Sequence, residues 1–367
     1  MITCAPDPSI QRITIGDFAF PLGVYPVEAL VPAPGYRVDF EPADGTDPDD
    51  ATPEPEDTGP FRLVGEGGGT AEGADEWEEW PDRYVFDIVV SAGRLPALLR
   101  TLLSLMPGRV YPILDVLGQD GYREVDPYIA YQPVGIERLI DGMRRYGGFL
   151  FEDGLCGFGA ISEEPFYYVF VDEHKIVTVR AEASLKERVE RALAAFDLAQ
   201  VEEPAGVDAV AHEHRGVLAA PEDDAQLLLT EEVVERLIDA WRLTLNIDVD
   251  TNVDDDGRPL GMTLWRCLVR STPDAAATDP LIGPKDATWW EALLTARNWR
   301  DAEELALDAV EASDPPRGQE HWPELAVVTA DRMMPAQFEE LTERKLKIPS
   351  LAKTASGRII LVRRLEQ

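Results

Sequence analysis

The spacing of apolar positions along the chain switches repeatedly between two periods. From Tyr84, "YVFDIVVS" has the dense apolar run of a buried strand. "LPALLRTLLSLMPG" then takes helical spacing, with Leu98, Leu99, Leu102, Leu103 and Met106 on one face, Pro96 in the first turn and Gly108 past the end. "RVYPILDVL" and "PYIAYQ" read as strands. "GIERLIDGMRRYGG" reads as a second helix, with Ile136, Leu139, Ile140 and Met143 on its apolar face and Gly147 and Gly148 as its stop. "GFGAI", "FYYVFV" and "KIVTVRA" follow as strands, the last two joined as a tight hairpin through Asp172, Glu173 and His174. Ser184 and Glu187 have the spacing of a capping box ahead of a third helix, whose buried stripe is Leu185, Val189, Leu193 and Phe196.

A second series begins at Thr230. "TEEVVERLIDAW" places Val233, Val234, Leu237, Ile238 and Trp241 on one helical face. Leu243, Leu245, Ile247, Val249 and Val253 then alternate with polar residues, which predicts a half-buried strand; "DDDGRP" is its turn and "LGMTLWRCLV" the returning strand. Thr288 and Glu291 again have capping-box spacing, predicting a long helical region that "NWRDAEELALDAVEA" continues, either in one piece or as a second helix. "ELAVVTA", "PAQFEELTERK" and "RIILVRR" close the series as strand, helix and strand.

The reading is an α+β protein of two α/β-containing units with mixed or antiparallel sheets, the first split-βαβ (ferredoxin-like) in character. Its expected divisions are an N-terminal β segment at 1–40, an acidic linker at 41–82, a first domain at 83–200, a connector at 201–229 and a second domain at 230–367. The linker stands out by composition: between Glu41 and Asp82 there are 15 acidic residues, one basic residue (Arg62), six prolines and seven glycines. Such a stretch buries too little apolar surface to offset the entropy of ordering it, so disorder is expected there, with Trp77 and Trp80 anchoring its end.

Charge changes the picture most. The 367 residues carry 34 basic and 69 acidic side chains, a formal net charge of -35. That excess repels nucleic acid and anionic membrane surfaces and favours basic protein partners or cations. Three widely separated cysteines, Cys4, Cys156 and Cys267, argue against a disulfide framework or a zinc ribbon. With no apolar run long enough to span a bilayer and no leader-like N-terminus, a cytoplasmic location is expected.

Four stretches carry candidate chemistry. "NVDDDG" places Asn252, Asp254 and Asp256 at EF-hand positions one, three and five, but position twelve is Thr263 and the flanking pattern is that of strands, so a hairpin is expected instead of a calcium loop. "AHEHRG" offers His212-x-His214; on a strand both rings point to one side, as ligands of a zinc-type ion do. A three-ligand site then needs His174, His321 or a carboxylate from elsewhere. The aromatic group from Tyr146 to Phe170 is interleaved with acidic residues, which favours core packing over a base-stacking surface. Finally, residues 344–367 hold seven basic residues and one acidic residue, making Lys345, Lys347, Lys353 and Arg358 candidates for anion or partner binding, with the linker at 41–82 as the nearest anion in a salt-sensitive contact. No nucleophile elbow, phosphate loop or dinucleotide fingerprint is present. The expected function is therefore a non-catalytic binding, scaffold or regulatory protein without a cofactor; the alternative is a metal-dependent hydrolase built on His212 and His214.

Overall fold

The computed structural model describes residues 4–43, 80–118, 120–219, 227–254, 256–272, 288–313, 324–342 and 357–365. The chain forms two compact units, one of Met1–Val116 with Pro127–Asn246, the other of Leu117–Asp126 with Ile247–Gln367. Both combine helices with antiparallel sheets, so the α+β expectation holds.

In the first unit the strands are β1 (Thr14–Ile15), β2 (Phe18–Ala19), β3 (Val24–Pro26), β4 (Gly35–Glu41), β5 (Arg83–Val89), β6 (Arg109–Leu117), β7 (Val125–Ile129), β8 (Val134–Gly135), β9 (Cys156–Ser162), β10 (Tyr167–Val171), β11 (Val177–Glu182), β12 (His212–His214) and β13 (Thr244–Leu245). The helices are α1 (Leu95–Leu103), α2 (Ile136–Arg145), α3 (Gly147–Leu150), α4 (Lys186–Ala194) and α5 (Thr230–Trp241). The main sheet runs β13-β7-β6-β9-β10-β11-β5-β4, with β8 paired to the start of β6. Successive antiparallel pairings from β5 through β11, β10 and β9 leave β5 and β6 parallel, joined by α1. This is a βαβ unit opened by three strands, where the ferredoxin-like sandwich expected from the sequence is opened by one.

Registers explain why the strand sequences are so apolar. Phe86, Ile88, Val177, Val179, Val169, Val171, Phe158 and Leu114 fall on one face by cross-strand pairing, and all are buried. Ile113, Tyr168 and Phe170 form a second buried cluster on the other face. With both faces covered, alternation gives way to continuous apolar runs. The whole aromatic group from Tyr146 to Phe170 is buried, as expected of core. Trp80 packs at a tilt against Phe166, 5.2 Å between ring centroids, with the guanidinium groups of Arg83 and Arg180 over its ring. It anchors the end of the acidic stretch as anticipated, while residues 44–79, including Trp77, lie outside the described residues.

Helix α5 belongs to this first unit, so the sequence boundary at 230 differs from the structural one at 246/247. Its Trp241 is fully buried against α2, where a Cβ on Gly142 would sit 2.7 Å from the indole nitrogen. Glycine at 142 is what admits the ring, and the indole N–H donates to the Arg138 carbonyl at 3.2 Å. Ile140, assigned to the apolar face of α2, is instead exposed. The Ser184 hydroxyl bonds to Glu182 and makes no cap; a single 3-10 turn precedes α4.

The second unit contains β14 (Thr263–Thr272), β15 (Thr288–Ala296), α6 (Trp299–Ser313), β16 (Glu324–Met333), α7 (Pro335–Thr342) and β17 (Arg358–Arg364), with sheet order β16-β14-β15-β17, antiparallel throughout. The helix expected from Thr288 is strand β15. Trp290, Ala292, Leu294 and Ala296 pack under α6, while Leu293 joins the cluster of Leu264, Met333 and Phe338 under α7. A strand buried on both faces has no alternation and imitates a helical stripe. The Leu243–Val253 strand is also shorter than expected: only Thr244–Leu245 pairs, and a single Val253↔Pro259 bridge closes the acidic turn.

Candidate metal centre

The residues from 201 to 229, read as a connector, contribute a strand. β12 pairs antiparallel with β3, His212 opposite Pro26 and His214 opposite Val24. Period two sends both imidazoles to the side on which Val24 lies buried with Phe18, Phe20, Val89 and Val207. Glu213, between them, turns the other way and accepts a hydrogen bond from the Tyr25 hydroxyl.

Residues 152–154 fix this strand pair from below. Gly23 N–H donates to the Glu152 carbonyl at 2.7 Å, Arg215 N–H to the Gly23 carbonyl at 2.8 Å, and Gly154 N–H to the Arg215 carbonyl at 3.1 Å. The two glycines approach so closely that a Cβ on either would lie 2.1 Å from backbone of the other. Asp153, fully buried, accepts from Leu155 N–H at 2.9 Å and Val217 N–H at 2.8 Å, and burial raises its pKa.

The third imidazole comes from the β10–β11 hairpin. Its loop runs from Asp172 to Ile176 and needs Lys175 in the left-handed region at φ 66°. The Asp172 carboxylate organises the turn by accepting from Ile176 N–H at 2.7 Å. Lys175 is buried, donating to the Cys156 carbonyl at 2.5 Å. His174 is thereby presented to β12. The three ring centroids lie 4.8, 4.9 and 5.0 Å apart, with interplanar angles of 79°, 77° and 64°.

The outward-facing nitrogens fix the ring tautomers. His212 Nδ1 sits 2.7 Å from the Val210 carbonyl and His214 Nδ1 2.8 Å from the Gly154 carbonyl. A carbonyl only accepts, so both Nδ1 atoms carry the proton and each neutral ring keeps its Nε2 lone pair free. His174 Nδ1 faces Asp172 Oδ2 at 3.2 Å and Glu173 Oε1 at 3.5 Å, which fixes its tautomer the same way. One nitrogen from each ring lies within 4.8 Å of the others, and His174 Nε2 is 3.1 Å from His212 Nε2. Two lone pairs at that distance need a shared proton or a shared cation. Tetrahedral zinc with bonds of about 2.0–2.1 Å separates its ligand nitrogens by roughly 3.3 Å, which the 3.1 Å between His174 and His212 matches.

Electrostatics agree. Burial works against a charged His174, but the hydrogen bond and charge of Asp172, with Glu173 and Asp208, outweigh it and raise the pKa. Burial, together with the charges of His174 and His212, lowers that of His214. Hydrogen-bond acceptors on all three outer nitrogens and an apolar floor are what orient and insulate metal ligands.

The remaining sequence candidates fall elsewhere. Lys345, Lys347, Lys353 and His321 lie outside the described residues. Arg358 is an exposed residue of β17, and Arg363, from the same basic run, is committed to the buried Glu291 at 2.6 Å, which also holds Arg266 at 2.7 Å. In the EF-hand-like stretch, Asp254 Oδ1 accepts from Asp256 N–H at 3.1 Å and Arg258 N–H at 2.8 Å, and Asn252 donates to Gly261 O and Thr263 Oγ1, so this is a self-bonded turn. Among the described residues no helix is long and apolar enough to cross a membrane. Comparison of the chain with protein-family models, curated proteins and solved structures returns no match.

Proposed function

We propose that the chain is a metal-dependent hydrolase that holds one zinc-type divalent ion on Nε2 of His174, His212 and His214. The observation that carries this reading is the gathering of one nitrogen from each of three imidazoles within 4.8 Å, with His174 Nε2 and His212 Nε2 3.1 Å apart and every Nδ1 facing an acceptor of its own. Among the described residues three imidazoles are at hand as ligands, and three protein ligands with an open fourth position are the pattern of catalytic as opposed to structural zinc. The three imidazoles would hold the ion, and its chemistry would be to lower the pKa of water towards about 7 and so supply a nucleophile at neutral pH. Asp172 acts behind His174, fixing its ring and raising its donor strength. The net charge of -35 favours neutral or cationic substrates over phosphate esters.

Metal analysis of untagged protein tests the reading. About one equivalent of zinc, nickel, cobalt or iron is expected, falling to background in His174→Ala, His212→Ala and His214→Ala. Hydrolysis of an activated neutral ester should vanish on chelation and return with zinc. Substoichiometric metal in the wild-type chain refutes the site. Stoichiometric metal without hydrolysis, coupled to a drop in melting temperature on chelation, assigns the ion to a structural role in a binding or scaffold protein.

A further inference from the structure

We propose, resting on the three-imidazole centre above, that Lys175 is a positioning residue for its third ligand: the buried ammonium ties the β10–β11 hairpin to the start of β9 and so sets His174 against His212 before any ion arrives. Lys175 stands at φ 66°, in the left-handed region that penalises a side chain and suits glycine. Glycine would serve the turn better, so the side chain at this position has a use of its own. It is 4% exposed, and its Nζ donates to the Cys156 carbonyl at 2.5 Å and lies 3.7 Å from Cys156 Sγ. Burying an ammonium is costly, which makes this anchor more than incidental packing.

Asp153 is the carboxylate that answers this charge. Burial raises its pKa, while the N–H groups of Val217 and Leu155 and then the charge of Lys175 lower it. Asp153 lies fully buried three residues before Cys156, in the segment whose Gly154 carbonyl holds His214 Nδ1 at 2.8 Å. Residues 153–156 therefore serve both halves of the centre: Gly154 aims His214, and Cys156 receives the lysine that follows His174 directly. With that side chain held inward, the hairpin tip resists carrying the imidazole away from β12. The ring is then preorganised, so binding does not have to order it.

Two variants separate the ammonium from the turn. Lys175→Met keeps the stem without the donor, and Lys175→Gly relieves the backbone without the anchor. Metal-free full-length protein is read first, by nuclear Overhauser contacts between the carbon-bound ring protons of its histidines. The His174–His212 contact, at 4.8 Å between ring centroids, should be present in the wild type and lost in both variants. The His212–His214 contact, at 5.0 Å, should persist and show that β12 is folded. Zinc competition should then show affinity weaker by about tenfold or more in both variants, with no further loss when Lys175→Met is added to His174→Ala. A His174–His212 contact absent from the wild type or surviving in Lys175→Met overturns the proposal. So does loss of both ring contacts together in both variants, or a loss of affinity that is equal with and without His174, since either makes Lys175 a general support of the fold. Ring contacts that behave as expected in a chain that takes up no zinc uphold the positioning role while refuting the metal reading. Unchanged zinc affinity in both variants refutes the positioning role and leaves the metal reading standing.

Discussion

Replacing Gly154 with alanine should damage the metal centre without touching a ligand. The new Cβ would lie 2.1 Å from the Gly23 carbonyl oxygen, 2.8 Å from the Gly23 carbonyl carbon and 3.0 Å from Val24 Cγ2. Both of the nearest atoms are backbone, so relief requires the two segments to part by about 1 Å to restore an ordinary contact. The Gly154 carbonyl is the acceptor that holds His214 Nδ1 at 2.8 Å, and a displacement of that size takes the bond outside hydrogen-bonding range. Loss of such a supporting partner weakens metal affinity by about 10–100-fold, or roughly 1.4–2.8 kcal/mol. Overpacking should separately lower the stability of the metal-free protein by about 1–3 kcal/mol. Competition for zinc against a chromophoric chelator reads the first effect and urea unfolding of metal-free protein reads the second. Gly23→Ala strains the same contact from the other side, 2.1 Å from Gly154 N, so the double variant should lose less affinity than the two single losses combined. If Gly154→Ala is destabilised yet binds zinc as the wild type does, the claim that this backbone contact aims His214 is refuted.

Two of the three imidazoles of this centre were legible as a pair before the fold. His212 and His214 are two apart, and strand geometry alone puts them on one side. His174 is 38 residues upstream of His212. Its proximity depends on β12 pairing with β3, two short segments 186 residues apart at Pro26 and His212, and no local pattern encodes that. The retrospective signal is the loop itself: an Asp two residues before a His at a hairpin tip is well placed to accept from its Nδ1. The acidic excess hid it, because with 69 carboxylates any histidine has acidic neighbours in sequence.

The fold was legible where one face of an element is wet and was misread where both are dry. α1, α4, α6 and α7 have a polar side that sets their period, and each was placed from the sequence. β15 has Leu293 under one helix and Leu294 under another, so its run of apolar residues fits either period, and Thr288 with Glu291 tipped the reading to helix. Glu291 in fact faces two arginines across the sheet, a role that only the register reveals. The order of the main sheet was beyond reach for a related reason. Three hairpin-joined strands can be inserted between β5 and β6 without changing any local pattern.

Four further outcomes are expected. Asp172→Asn should weaken zinc binding about 10–100-fold while leaving one equivalent at saturation, measured by the same chelator competition. Any calcium-induced rise in melting temperature should be unchanged in Asp254→Ala, since that carboxylate is engaged by its own turn; a rise lost in that variant would reinstate the EF-hand-like loop. Arg332→Met should destabilise by about 3–5 kcal/mol in urea unfolding, because it removes the guanidinium that holds the fully buried Asp120 carboxylate at 2.9 Å and leaves Arg123, at 3.8 Å, as the nearest cation; adding Asp120→Ala should recover part of the loss. The last outcome concerns pH. Burial, with the charges of Asp126 and Asp120, pushes the Asp331 carboxyl from an ordinary 3.8 up to about 7, against the pull of Arg123 and Arg266. Between those values the folded protein keeps a proton that the unfolded chain has released, so stability is greatest at the acid end of the window and falls as pH rises through it. At 1.36 kcal/mol per pH unit the full effect is about 4 kcal/mol, and it is complete once the pH passes about 7, where both states are ionised. Asp331→Asn cannot ionise, so its urea midpoint should change less between pH 5 and pH 8 and should exceed the wild type's at pH 8. Asp115 contributes a second decline of the same sign, which leaves the variant with a reduced slope. A wild-type midpoint that rises from pH 5 to pH 8, or an Asp331→Asn slope equal to the wild type's, would show that Asp331 is ionised in the fold and that its arginine neighbours prevail over its burial.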